Sequence, residues 1–480
     1  MKKIVRWSAV LILANVVADV VVGSPMMVIP HLLDRFDTDE GAWLTTSALL
    51  AGAIWSPLLA KAADVHGKRR MLVGTLLVAC GGALLCVVAP TLWIFILGRV
   101  LQGAGYAAAF LTVALVVQVR PPREAMFVVG LVTSSSSVVG MIEPVLMTPV
   151  IERFGDRGVF VVAGLLSVVA AVGVAKVLPE SPVRSAGRVD VPGALLLGGC
   201  LGGVLGYVSL GRDSGWLSAW PSVLLAAGLI ALAGWLVRSY RIAEPIVDLR
   251  SLSRPVLLTL AALVLAGGAF RCLLHLFGVI GHVPAELDLG YGLAGAVAAL
   301  FAVANLGIAV GGVTSGWLAG RIGPAATLLG GIALSAAATV AMTVGVSVLP
   351  VALACAAGLG AAAGAIGASG YIVATRHTAP ERQGTVAGLV SVVMALGAAV
   401  LTIAGAEILE AATIPGAAVA GAKVCTAAGV LTYIGMAAVL LLAAAVPAAA
   451  LARGRYAATG VVACSTASTS ASARRCSKRW

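Results

Sequence analysis

The chain reads as long apolar runs separated by short polar turns. Fourteen runs recur, at residues 7–28, 43–63, 71–89, 92–119, 125–151, 159–177, 194–210, 223–237, 256–280, 293–319, 326–348, 351–374, 385–408 and 426–450. Most approach the roughly 20 residues that an α-helix needs to cross the hydrocarbon core of a bilayer. Runs 194–210 and 223–237 are shorter. The pattern predicts an all-α membrane protein with 14 transmembrane helices. Residues 1–180 are expected to form one six-helix bundle and 256–452 a second, with 181–255 a linker carrying inserted helices 7 and 8. The segment 453–480 is small, Ser/Thr-rich and basic. It is expected to be a disordered tail lying near anionic headgroups.

The positive charges sort with this pattern. With the first residue inside, 25 of the 32 Lys and Arg fall in cytoplasmic segments. Outer segments hold Arg35, Arg153, Arg157, Arg212 and Lys423, and Arg99 and Arg271 lie within spans. Cytoplasmic loops carry such an excess, so both termini are expected in the cytoplasm and the protein in the cell membrane. One missed span would invert every later loop. Lys2, Lys3 and Arg6 precede the first run as they would in a signal peptide. That run carries Asp19 in its middle and lacks a small-residue cleavage site, so it is expected to remain as a span.

Composition agrees. The chain is 60% apolar and 11% charged, against roughly 25% charged for a soluble domain. The net charge of +12 is spread over short clusters between apolar runs, which speaks against a nucleic-acid partner. The eight cysteines show no metal or disulfide spacing and read as small apolar fillers. No cofactor is expected.

A weak internal repeat is visible. The turn after the second run contains Asp64, Gly67, Lys68 and Arg69, and the turn after the tenth contains Gly316, Arg321 and Gly323. Each follows the second helix of a six-helix block, and duplicated six-helix halves are a transporter architecture.

At these turns the chain resembles the major facilitator superfamily, whose loop between helices 2 and 3 reads roughly G-x-L-A-D-R-x-G-R-R/K. Asp64, Gly67, Lys68 and Arg69 match it, whereas Ala60 and Val65 depart. The second copy keeps Gly316, Arg321 and Gly323 without the acid. A family motif of helix 4, R-x-x-Q-G-x-G, is intact at Arg99, Gln102, Gly103 and Gly105. Residues 190–199 and 244–252 resemble the flanks of the extra helix pair in the 14-helix drug:proton antiporter branch. The Gly-rich helix 5 motif of antiporters, ending G-P-x-x-G-G, is altered: Pro144 is kept, Glu143 replaces a Gly, and Met147 and Thr148 replace the final pair. The helix 1 signature is loose, with Asp19 and Pro30 at changed spacing.

A charge at mid-bilayer costs about 2.5–3.5 kcal/mol, so charged residues within spans are functional candidates. Asp19, Arg99, Glu143 and Arg271 fall in one slab, roughly 10–14 Å below the outer surface. The two acids and two bases can therefore pair. Asp19, Arg99, Glu143 and His275 are the candidates for proton coupling. Arg99 can instead tie helix 4 to carbonyls or to Asp19, and Glu143 can be a structural partner of an arginine. His275 lies four residues after Arg271 on the same helix face, where it can also be merely interfacial. The resemblance places Asp19, Arg99 and Arg271 on cavity-lining helices. Gln102, Arg271 and Asn305 are the substrate-cavity candidates, with helix packing the other role for Asn305. Asp64 can bond a helix N-terminus or a neighbouring base and so latch the cytoplasmic side, while Gly67 permits a tight turn.

The expected function is secondary active transport, by proton-coupled export of small lipophilic compounds. The alternative is a carrier of one specific metabolite, such as an anion bound by Arg99 and Arg271. A membrane enzyme lacks support, since no catalytic triad, metal motif or soluble domain is present. The expected partners are a small-molecule substrate, protons and the lipid bilayer, with the protein working as a monomer.

Overall fold

The computed structural model describes residues 2–38, 41–280, 291, 295–419 and 422–454. The basic tail from 455 onward, including Cys464 and Cys476, lies outside the described residues. The first apolar run forms α1 (Lys2–Gly23). Pro25 ends it in a 3-10 turn, Ser24–Val28, and the chain continues as α2 (Ile29–Phe36). Then follow α3 (Gly41–His66), α4 (Lys68–Val88), α5 (Leu92–Gln102) and α6 (Ala107–Val119). A 3-10 turn at Gly103–Tyr106 joins the last two, so they cross together as one 28-residue segment.

The 56-residue helical stretch α7 (Pro122–Val177) breaks at Gly155, whose φ of 65° and ψ of −158° no helix contains. It is two helices end to end, matching runs five and six. After a loop come α8 (Val191–Ser214) and α9 (Ala219–Arg241), then α10 (Arg254–Ile280), α11 (Ala296–Ile322), α12 (Pro324–Gly345), α13 (Leu349–Arg376), α14 (Gln383–Ala411) and α15 (Ala427–Arg453). Twelve segments among the described residues are long and apolar enough to cross a membrane.

Two expectations need correction. The runs at 194–210 and 223–237 looked short because Gly, Ser and Trp dilute their ends. The helices there have 24 and 23 residues. The chain is also not purely helical. Residues after α14 form an antiparallel hairpin, β1 (Thr413–Val419) with β2 (Ala422–Cys425). Pro415 and Gly416 stop the helix there, and strand pairing satisfies the backbone groups instead.

Within the first half α1 and α4 pack along α7; within the last, α10 packs on α14 and α15, and α11 on α13. Two seams join the halves, α3 with α14 and α7 with α11. The pair α8–α9 leans on the first seam, touching α3 and α14 through α8. In the second seam the helices meet backbone to backbone, and a side chain at Gly130 would collide with the Gly312 carbonyl. Small residues allow this approach.

Loop contacts sort onto two opposite ends. At one end Arg35 binds Asp156 and the Ala89 carbonyl, each at 2.7 Å, Phe95 packs between Phe36 and, edge-on, Phe160, and Trp216 donates to Glu407 at 2.8 Å. At the other, Asp64 reaches Gly384 and Thr385, Gln118 donates to the Pro380 carbonyl, and Arg382 binds Asp248 at 3.0 Å. Bonds between the two halves cluster at this second, basic end, which is closed.

Candidate functional site

The polar groups within the membrane layer gather between α1 and α7. Asn15 and Asp19, one turn apart on α1, face the serine run of α7. The Asn15 amide donates to the Val132 carbonyl at 3.1 Å, to Ser135 at 3.1 Å and to Ser136 at 2.9 Å. Ser136 also hydrogen-bonds Asp19. The second carboxylate oxygen of Asp19 is buried and meets no hydrogen-bond partner among the described residues. Farther along the same seam, Ser24 donates to Glu143, whose carboxylate rests against the backbone of Gly23. Asp19 and Glu143 are near enough for their charges to act on each other. No ion pair holds either one among the described residues.

The arginines are placed differently from the pairing expected. Arg99 is fully buried and donates to the Val21 carbonyl at 2.7 Å and to Gln102 at 2.9 Å. It ties α5 to the α1 backbone, the carbonyl tie that was the other expected role, and neutralises no carboxylate among the described residues. Gln102, expected on the cavity wall, is also fully buried, with its oxygen occupied by Arg99. Arg271 is exposed. Tyr106 stands within electrostatic reach of Arg99, Asp19 and Arg271. It also lines a cavity of about 140 Å³ with Ser56, Leu201, Leu205, Ser391 and Leu396. His275 faces Tyr433 of α15, 3.4 Å from its hydroxyl. The Asn305 amide donates to its own helix at Phe301, while its oxygen lies across the seam from Gly140.

The two turns expected to act as gates make separate contacts, the first with α14 and the second with α7. Gly67 has φ 104° and ψ 136°, and Gly323 has φ 93° and ψ 149°. The two turns share a backbone conformation that only glycine adopts at low cost. Asp64 accepts from the backbone of Gly384 at 2.8 Å and of Thr385 at 2.7 Å, and from the Thr385 hydroxyl at 2.8 Å. These amides are among the unpaired donors of the first turn of α14, which carries no cap of its own side chains. Lys68 pairs with Asp64 at 2.9 Å, both fully buried. Glu180 accepts from the amides of Arg69 at 2.9 Å and Arg70 at 3.1 Å, which caps α4. Arg321 stacks on Trp317 at 3.8 Å, and Gly316 lies against Met126 and Gly130.

The profile of the Major Facilitator Superfamily matches residues 11–401. The chain belongs to the major facilitator superfamily. A uridine/deoxyuridine transporter of Lactococcus lactis subsp. cremoris is 27% identical over 294 residues, covering 59% of this chain and 60% of that protein. A multidrug resistance protein B homolog of Mycobacterium tuberculosis is 29% identical over 417 residues, covering 83% of this chain and 75% of that one. The chain thus spans less than two thirds of the uridine/deoxyuridine relative's length. The crystal structure of the human organic anion transporter TETRAN aligns with a TM-score of 0.61 at 16% identity, over 92% of this chain and 99% of that one. That likeness shows the fold. These relatives are transporters or drug-resistance proteins, and none is an enzyme.

Within this superfamily fold, several residues around the site escaped the sequence reading. Asn15 and the run Ser134–Ser137 were its visible signal, because four serines in a spanning helix are unusual and Asn15 stands one turn from Asp19. Glu180 and Thr385 carried no such signal, since each acts on a helix end distant in sequence.

Proposed function

We propose that this superfamily member is a proton-coupled exporter of small lipophilic compounds that works by alternating access. The observation that carries this reading is the Asp19–Glu143 pair. Two carboxyls share one buried polar seam with serines and no counter-cation among the described residues. Burying two such groups charged is costly, so the arrangement favours proton uptake in one state and release in another. The resistance relative supports a lipophilic substrate, as does the mostly apolar lining of the Tyr106 cavity. In proteoliposomes, an outward-to-inward proton gradient should drive efflux of a lipophilic cationic dye, and dye efflux should in turn dissipate the gradient. Dye movement without proton movement would overturn the coupling.

A second reading, carriage of one specific metabolite, draws on the uridine/deoxyuridine relative and the exposed Arg271. Arg99 offers it little, because the side chain is fully buried and its Nη1 donates to Val21 and Gln102. Uridine competing with the dye in the same vesicles would favour it.

The same proposal includes fourteen spans, in two six-helix bundles with α8 and α9 inserted, a monomeric assembly, and both termini in the cytoplasm. Its support is the break at Gly155, the 26-residue α3 beside the twelve apolar segments, and the basic character of one end. Ser185→Cys should be labelled by an impermeant thiol reagent only from the cytoplasm. Leu217→Cys, 96% exposed in the wild-type side chain, should be labelled only from outside. Labelling of both from one side would reject this topology.

A further inference from the structure

A cleft of about 680 Å³ opens at the basic end of the α7–α11 seam. That volume lies within the roughly 300–1,000 Å³ of small-molecule sites. It is lined by Arg123, Phe127 and Glu124 from α7, and by Trp317 and Arg321 from α11. We propose that this cleft holds an anionic phospholipid, whose phosphate bridges Arg123 and Arg321 and whose glycerol and upper acyl carbons lie against Phe127 and Trp317.

The lining is built in two levels. Arg123 stands in the first turn of α7 and Arg321 in the last turn of α11. Phe127 and Trp317 lie one turn deeper on the same two helices, four residues away in each case, so each arginine stacks above an aromatic on one helix face. Phe127 is 41% exposed and Trp317 50% exposed. Aromatic rings with basic residues beyond them are what a headgroup boundary favours. The charge balance is positive. Glu124 is paired with Arg120 at 3.3 Å, whereas Arg123 and Arg321 have no carboxylate partner among the described residues. Arg321 is held in place by Trp317, 3.8 Å beneath it. A lipophilic cation would be repelled by the two arginines, and a free inorganic anion would leave both aromatic rings bare.

The site also spans the two halves of the molecule, so a lipid there would bind the closed basic end and strengthen its closure. The membrane depth of the cleft rests on the topology proposed above, whereas the test below does not. It uses the same lipids in both leaflets and measures no transport.

The purified full-length chain is equilibrated with equal amounts of phosphatidylglycerol and phosphatidylcholine, stripped of loose lipid, and its retained lipid measured by native mass spectrometry. Two interfacial arginines should enrich phosphatidylglycerol about fivefold or more. R123Q/R321Q should fall to parity, R123Q alone should be intermediate, and R123K/R321K should keep most of the enrichment. Variants are compared only where they elute as monodisperse protein, and R123Q serves if the double change does not fold. Parity in the wild type, or unchanged enrichment in R123Q and R123Q/R321Q, would overturn the proposal. So would displacement of the lipid by inorganic phosphate, which would make this a free-anion site. Displacement by tetraphenylphosphonium would assign the cleft to substrate instead.

Discussion

Glu143→Gln abolishes proton-driven transport, by tenfold or more on the scale usual for loss of an acid–base group, and leaves substrate exchange running. Gln keeps the size of the side chain and its ability to accept a hydrogen bond from Ser24, but it cannot carry a proton through the cycle. The structure makes a second outcome part of the same prediction. Among the described residues Glu143 has no arginine to neutralise it, and its partner is a hydroxyl. Removing an unpaired, 8%-exposed carboxyl therefore costs no ion pair, and the melting temperature should stay level or rise. Asp19→Asn should be tested beside it. If Asp19 alone carries the proton, the Asn variant uncouples and the Gln variant does not. Counterflow in equal-pH vesicles and proton flux under a gradient separate these cases. Normal proton coupling in both variants and in the double variant would remove the carboxyl pair from the mechanism.

Weakening Asp64 opens the basic end. Its carboxylate supplies what the first turn of α14 lacks, an acceptor for the amides of Gly384 and Thr385. A hydrogen bond to a charged group contributes about 1.5–3 kcal/mol. Losing even one such contact would shift the balance between closed and open states by roughly 10- to 150-fold. Asp64→Ala is a harsh test, because it strands Lys68 fully buried without its partner, at a cost of about 3–5 kcal/mol. Asp64→Asn with Lys68→Met avoids a stranded charge. Thr385→Val attacks the same contact from α14 and leaves Lys68 untouched. Both should raise labelling of a cysteine at the basic end of the α3–α14 seam and slow net transport, while binding of substrate from outside changes little. Binding that falls in parallel with transport would make this contact structural and not a gate.

Much of the architecture follows from short-range information. The length of each apolar run sets a spanning helix, and the alternation of basic and neutral turns orders them. Gly67 and Gly323 mark equivalent turns because their backbone conformation excludes other residues. The contact of Asp64 with a helix N-terminus was legible because an acid beside a tight turn at a helix end has few other uses. The spans 194–210 and 223–237 were underestimated for a local reason as well, since Gly and Ser dilute hydropathy without breaking a helix that packs through them.

The site is different in kind. Sequence placed Asp19, Arg99, Glu143 and Arg271 at one depth, and depth alone allowed them to pair. Which of them meet depends on how each helix is rotated and on which neighbour it faces. Rotation turns Arg99 toward the Val21 carbonyl, Asp19 toward Ser136 and Glu143 toward Ser24. The partners of Asp64 on α14 lie 320 and 321 residues away in the chain. A run of apolar residues can fix that a helix crosses the membrane, because crossing depends on its own composition. It cannot fix the azimuth of that helix when nearly all its faces are apolar. The close approach of glycine-rich faces such as Gly130 against Gly312 settles that angle, and with it the set of polar groups that share the seam.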